Sequence, residues 1–227
     1  MTLYFISGLG ADRRLFRNLQ LPACVNVRHL DWIQPQPGES LPSYGLRLAD
    51  AIDKTEPFGL VGLSFGGMLA AEIAKVHPAA ICILISSAAR PAELPAFYRL
   101  LGKLRVNRLV PLKMYKEPNV LMFWYFGAKT KEEKDLLRGI VRDSDPVFVQ
   151  WAVDSILRWK NETLPEGLFR IHGTADRVIP IRNVTAQHAI PKGSHLIVYS
   201  QAAAVSRAIS LALGNQGFVR TGAARRP

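Results

Sequence analysis

The chain predicts an α/β fold, a sheet of about six parallel strands flanked by helices. Three observations carry that expectation. Short apolar runs alternate with longer helical patterns, as strand–crossover–strand units require. The runs are nearly continuous in apolar residues, as strands covered on both faces must be. The 227 residues, 48% hydrophobic and 21% charged, suit one α/β core and not a disordered or fibrous chain.

Taken in order, the strand-like runs are Leu3–Ser7, Val25–Leu30, Gly59–Leu63, Ile81–Ser86, Leu168–His172 and His195–Tyr199. Helical patterns fall between them. Tyr44–Lys54 is one, and Gly67–His77 is stopped by Pro78, whose ring cannot continue a helix. Ile181–His188 and Gln201–Leu213 complete the set, with Gly214 as a C-terminal stop.

One stretch, residues 88–165, breaks the alternation with helix signals alone. Thr130-Lys131-Glu132-Glu133 has the capping-box form, with Leu136, Leu137, Ile140 and Val141 following at helical spacing. Asp145-Pro146 pairs an N-cap with proline at the first helical position, and Val149, Val153, Ile156 and Leu157 continue an apolar face. The organisation expected is therefore a single domain, 1–227, with a helical cap inserted at about 88–165 before the fifth strand. Its basic Gly/Ala/Arg tail, 215–227, reads as disordered.

Composition excludes some classes of function. No apolar run approaches the ~20 residues of a membrane-crossing helix. Met1 leads almost directly into Leu3-Tyr4-Phe5-Ile6, with no basic segment before that run and no small-residue cleavage site after it, so no secretory leader is expected. Cys24 and Cys82 are too few for a disulfide framework or a zinc site, and Cys82 lies in an apolar run. A reduced, cytoplasmic protein is expected. The net charge of +11 and pI near 10.0 fit either a solvated basic surface or attraction to an anionic partner. Much of the excess is scattered over Arg99, Lys103, Arg105, Arg108, Lys113, Lys116 and the tail residues Arg220, Arg225 and Arg226. No nucleic-acid motif accompanies it, so a solvated surface with weak attraction to anionic surfaces is the reading adopted.

Chemistry concentrates in four segments. Gly62-Leu63-Ser64-Phe65-Gly66 arises by chance often enough that context must decide. Here a strand enters the motif and a helix leaves it, which makes a nucleophile elbow, not an incidental serine in a glycine turn. The glycines suit a turn so tight that a Cβ would strike neighbouring backbone. A serine hydroxyl needs a base to take its proton. Of the five histidines, His77 ends a helix, His188 and His29 lie within regular elements, and His172 reads as a packed strand residue. His195 follows the turn Lys192-Gly193-Ser194 at the last strand-like run, where a loop can carry it to the serine. An imidazole takes and returns a proton near neutral pH.

The third member must orient that imidazole. Asp176, just beyond the fifth strand in Gly173-Thr174-Ala175-Asp176, stands in the right chain order, and a turn-forming aspartate is the plainer alternative. Asp145 and Asp154 sit on cap helices, and Ser87-Ala88-Ala89 offers no acid. Backbone donors for an oxyanion are expected from Phe65, after the serine, and Leu9, in Ser7-Gly8-Leu9-Gly10-Ala11-Asp12. That loop lacks the third glycine of a dinucleotide fingerprint and the lysine of a P-loop.

In this order the segments Ser7–Asp12, Gly62–Gly67, Gly173–Pro180 and Gly193–His195 resemble those of the α/β-hydrolase family, over about Leu3–Leu213 apart from the cap. The resemblance implies a triad of Ser64, Asp176 and His195, and no metal or organic cofactor. Two departures stand out: Ser7-Gly8 replaces the common His-Gly, and the sheet reads as a reduced version of the family's. The expected activity is acyl transfer to water from a small, apolar ester or thioester, carboxylesterase-like. A lyase or acyltransferase on the same residues, or a binding protein that retains them, are the alternatives. Phe123-Trp124-Tyr125-Phe126, Trp151 and Trp159 are candidates for lining a substrate pocket or, for most of them, for plain cap core.

Overall fold

In the computed structural model, which describes residues 1–98 and 111–218, six strands form one parallel sheet. They are β1 (Thr2–Ile6), β2 (Asn26–Leu30), β3 (Phe58–Leu63), β4 (Ile81–Ile85), β5 (Leu168–Gly173) and β6 (His188–Ile190). Their order is β2-β1-β3-β4-β5-β6. The chain steps outward from β1 to β2, returns to place β3 on the other side of β1, and then continues in that direction. Such a reversal opens a crevice at the carboxyl ends of the two strands that flank it, here β1 and β3. Both strands end in the segments singled out above.

Alternate residues of each strand enter different layers. Tyr4, Ile6, Leu60 and Leu84 pack with α1 (Leu41–Leu48) and α2 (Phe65–Val76). Leu3, Phe5, Val61, Ile83 and Ile171 pack with the last helices of the chain. Both faces of the central strands β1, β3 and β4 are covered, which is why those runs lack polar alternation. Cys82 is enclosed in the first layer, and burial pushes its thiol up to about 12.

Local chemistry sets the helix ends. Helix α1 starts at Leu41 instead of Tyr44 because the Ser40 hydroxyl accepts from Ser43 N and Pro42 occupies the first turn. It tightens into a 3₁₀ turn at Ala49–Ala51. Helix α2 begins at Phe65, directly after the serine, and His77 stands just past its end.

Between β4 and β5 lie α3 (Val120–Phe126), α4 (Lys131–Asp143) and α5 (Pro146–Arg158). Thr130 and Glu133 close the capping box at α4, and Asp145 caps α5 through Val147 N. The helices are tied to the sheet's loops. Arg14 bridges Asp12 and Asp143, and Arg17 bonds Glu132 and Tyr199. Trp151 Nε1 donates to Glu39 O at 3.0 Å.

One expectation is overturned. His195–Tyr199 is not a strand: the segment Ile197–Ser200 is a helical turn, α6, leading into α7 (Ala202–Asn215). The sixth strand is instead His188–Ile190, and Ile181–His188 is no helix, holding only a 3₁₀ turn at Ile181–Asn183 before extended Val184. The physical reason is burial. Leu196, Ile197, Val198 and Tyr199 are all enclosed, and four apolar residues buried on every side read alike as strand or helical turn. Conversely β6 is three residues long with one exposed, too little for an alternation to register. Arg99, Lys103, Arg105, Arg108 and tail residues 219–227 lie outside the described residues.

A buried ion pair fixes where the insertion leaves the sheet. Arg170 on β5 donates from Nη2 to Glu93 Oε1 at 2.9 Å, and both side chains are nearly inaccessible. Glu93 Oε2 also accepts from Ala89 N at 2.7 Å. Glu93→Ala would strand a buried guanidinium and is expected to cost about 3–5 kcal/mol, read as a lowered urea midpoint with an unchanged slope. Glu93→Gln, which keeps an acceptor, is expected to cost less.

Candidate functional site

Ser64 stands between β3 and α2 with φ 51° and ψ −118°. A non-glycine residue pays about 1–3 kcal/mol for such a conformation, and persists there only when its surroundings over-determine it. They do so here. Ser64 N donates to Ile85 O at 2.9 Å, while Ser64 O accepts from Gly67 N at 2.9 Å and from Ser87 Oγ at 2.6 Å. Sequence reasoning noted Ser87 only for not being an acid; nothing in its neighbours signals that its hydroxyl braces the turn. A Cβ on Gly62 would fall 2.4 Å from Gly66 O, and one on Gly66 would fall 2.2 Å from Ser7 O. The glycines are thus required by contact with backbone, as their spacing suggested.

The three residues far apart in sequence meet at this turn. His195 Nε2 lies 2.9 Å from Ser64 Oγ, and His195 Nδ1 lies 2.8 Å from Asp176 Oδ2. Asp176 is held in turn: its Oδ1 accepts from Val178 N at 2.9 Å and Ile179 N at 3.0 Å. Burial pushes its carboxyl up, but the neighbouring His195, its hydrogen bond and the Ile179 N–H outweigh that and hold it below the usual carboxylate range. The aspartate is therefore an anion pointed at the imidazole.

His172 is the packed residue expected, but with a further contact. Its Nε2 donates to Ile179 O at 2.7 Å and sits 3.4 Å from Asp176 Oδ2. Burial lowers its basicity more than Asp176 raises it, so it packs as a neutral ring against the acid. His29 is half-buried beside Phe5 and Phe16, and His188 belongs to β6. Asp145 and Asp154 stay on α5 as cap and ion-pair partner of Arg158.

The acid and histidine loops close on each other through backbone. Ala175 N donates to Gly193 O at 2.7 Å, and Thr174 N donates to Ile190 O at 3.0 Å. Helix α3 then lies against both. The Phe126 ring meets His195 edge-on at 5.4 Å, and Gly127 packs on Ser194. Arg177, beside the acid, donates to Trp124 O at 2.6 Å and covers the Trp124 ring at 4.3 Å.

Ser64 and His195 open on a cavity of ≈ 450 Å³, with Gly8, Leu9 and Phe65 also on its wall. The loop after β1 is shaped by Ser7 Oγ, which donates to Asp12 O at 3.0 Å, and by Ala11 N, which donates to Gly8 O at 2.9 Å. The opposite wall comes from the inserted helices, including Leu137, Ile140, Val149 and Ile156. Of the aromatics considered for this role, Tyr125 and Phe126 line it, whereas Phe123 is core and Trp124 is exposed. Trp151 packs on Tyr44, and Trp159 is buried with Nε1 donating to Glu72. Tyr98, which sequence reasoning passed over, shares a 2.6 Å hydrogen bond with Tyr125 on the same wall. Among the described residues no group of three or more His, Cys, Asp or Glu could hold a metal ion, and no helix is long and apolar enough to cross a membrane.

The model of the alpha/beta hydrolase family matches residues 3–208. The chain belongs to the α/β-hydrolase family. A search of curated proteins gives no match. Solved α/β-hydrolase-like structures do. A thermophilic esterase from Thermogutta terrifontis is 21% identical, with 95% of this chain and 90% of that one covered at a TM-score of 0.67. A lipase-esterase related protein from Clostridium acetobutylicum is 15% identical, with 96% and 94% covered at 0.66. A bromoperoxidase from Bacillus anthracis is 14% identical, with 94% and 91% covered at 0.66. At these identities the likeness bears on the α/β-hydrolase fold alone.

Two outcomes follow from this geometry. Gly66→Ala is expected to abolish soluble folded protein or collapse its melting temperature, since the obstructing atom is backbone. His172 sets a pH dependence. Its folded basicity is depressed, so below about pH 6.5 the unfolded chain binds a proton that the folded chain refuses. Stability is complete above that value and falls as the pH drops toward the depressed one. Thermal melts across this range should show the loss, and His172→Gln should flatten it.

Proposed function

We propose that the protein is a serine hydrolase that cleaves the carboxylic ester or thioester of a small, largely apolar substrate. The observation that carries this reading is the hydrogen-bonded run from Ser64 Oγ through His195 to a buried, anionic Asp176, at 2.9 and 2.8 Å, opening on a largely apolar, partly open cavity.

In the first step His195 Nε2 takes the Ser64 proton as Oγ attacks the substrate carbonyl. Asp176 holds the ring with Nδ1–H toward itself and stabilises the imidazolium that forms. The tetrahedral oxyanion is received by the N–H groups of Leu9 and Phe65. Phe65 begins α2, so its N–H has no acceptor within the helix and lies at the positive end of the helix dipole. His195 then returns the proton to the leaving alcohol or thiol. Water repeats the sequence to release the acid and restore Ser64.

The inserted helices act as a cap. The cavity they help to line, ≈ 450 Å³, lies within the ~300–1,000 Å³ common for small-molecule sites, and its aliphatic wall favours an apolar acyl or alcohol group. A reduced, cytoplasmic setting agrees with two free cysteines, exposed Cys24 and buried Cys82. A lyase or an acyltransferase would use the same three residues, and product analysis with and without added acceptor separates them from hydrolysis.

The test is covalent labelling with a fluorophosphonate probe, mapped by mass spectrometry. Adduct at Ser64 is expected, lost in Ser64→Ala and His195→Ala. Folded wild-type protein that takes no label would overturn the reading. On an ester and thioester panel, Asp176→Asn should lower kcat by on the order of 10⁴ with KM little changed.

A further inference from the structure

Helix α3 is apolar on both sides. Its seven residues, Val120-Leu121-Met122-Phe123-Trp124-Tyr125-Phe126, include no charge. The inner side is accounted for: Met122, Tyr125 and Phe126 line the cavity, and Phe123 is core. The outer side is not. Val120, Leu121 and Trp124 are 82%, 70% and 55% exposed; Val120 and Trp124 are neighbours at i and i+4, and Leu121 extends the exposed arc to about 100°. A helix that is apolar all round belongs in an interior, and an apolar face left unburied among basic residues suits the boundary of an anionic membrane.

The surround is basic. Exposed Lys113 and Lys116 precede the helix, exposed Lys129 and Lys131 follow it, and exposed Arg177 lies over the Trp124 ring. Most acidic residues of the neighbourhood are engaged by partners, and exposed Glu117 is the one beside Lys116. Glu132 bonds Arg17 and Tyr199, Glu133 closes the capping box, Asp135 pairs with Arg138, and Glu117 borders the cavity. A second copy of a chain carrying +11 is a poor occupant, because like charge opposes like. An anionic lipid surface meets both properties at once, and tryptophan beside a cation is suited to the headgroup level.

We propose that the outer face of α3 docks on anionic lipid, with Val120, Leu121 and Trp124 entering the headgroup–acyl boundary and Lys116, Lys129 and Arg177 meeting lipid phosphates. The inner face of the same helix is a wall of the cavity, so docking brings the cavity beside an apolar phase. The docking goes beyond the proposed hydrolysis and does not depend on Ser64 chemistry.

The experiment is vesicle sedimentation of the full chain, as wild type and as Ser64→Ala, against phosphatidylcholine alone and phosphatidylcholine with phosphatidylglycerol. Both forms are expected to bind only the anionic vesicles, with a blue-shifted tryptophan emission that Trp124→Phe removes. Raising the salt should weaken binding several-fold. Val120→Ser with Leu121→Ser should weaken it by about tenfold or more, and Lys116→Gln with Lys129→Gln should weaken it at low salt. Retained fluorophosphonate labelling and unchanged melting would show these variants folded. Unimpaired binding by the Val120/Leu121 variant, or binding lost to salt with no emission shift, would overturn the proposal in favour of charge alone. A wild-type dimer in sedimentation velocity that this variant abolishes, without vesicle binding, would overturn it in favour of self-association. Failure of labelling at Ser64 would leave the vesicle result standing and sink only the hydrolase reading.

Discussion

The site depends on a contact made without side chains. Gly66, in the first turn of α2, lies against the Ser7 and Ile6 carbonyls, and Gly62 lies under Gly66 and Gly67. Strand β1, strand β3 and the helix between β3 and β4 can converge this closely only because no Cβ intervenes. From that convergence the rest follows. Ser64 is forced to positive φ, its side chain is lifted off the sheet edge, and the loop after β1 is brought beside it. The hydrogen bonds from Ser87 and Gly67 to Ser64 O stabilise a turn whose shape the glycines make feasible.

The second half of the site is assembled by the opposite end of the sheet. Strand β6 is short, but it places Ile190 and Gly193 where Thr174 and Ala175 can donate to them. The acid loop and the histidine loop are therefore fastened to one another through backbone, independently of their contact with the serine. His172, beneath the acid, adds a neutral contact whose cost of charging ties this region's integrity to pH.

Much of this was legible in the residues. The elbow, the order of serine, acid and base, and the helical insertion with its Thr130–Glu133 and Asp145 caps are all written in local chemistry: glycine spacing, cap residues and apolar period. Five of the six strands were legible as well: β1, β3 and β4 are apolar and buried along nearly their whole length, whereas β2, polar at three of its five residues, is mostly exposed. What escaped was decided by tertiary contact. Leu196 to Tyr199 looked like a strand because complete burial erases periodicity, and β6 hid in a polar stretch because three residues carry no pattern. The bracing hydroxyl of Ser87, the meeting of Tyr98 with Tyr125 and the seat of Phe126 on His195 are encounters across the fold. The side chains involved are ordinary in their own neighbourhoods.

Helix α3 touches the acid loop through Arg177 and Trp124 and the histidine loop through Phe126 and Gly127, while also forming part of the cavity wall. The cavity wall and the support of His195 therefore share a component. A change in this helix that widens or narrows the cavity also disturbs the seat of the imidazole, so the shape of the cavity and the placing of His195 cannot drift independently. The aliphatic residues of α4 and α5 on the far wall have ties of their own, since Val149 packs on Gly10 in the loop after β1 and Leu137 and Ile140 belong to the core.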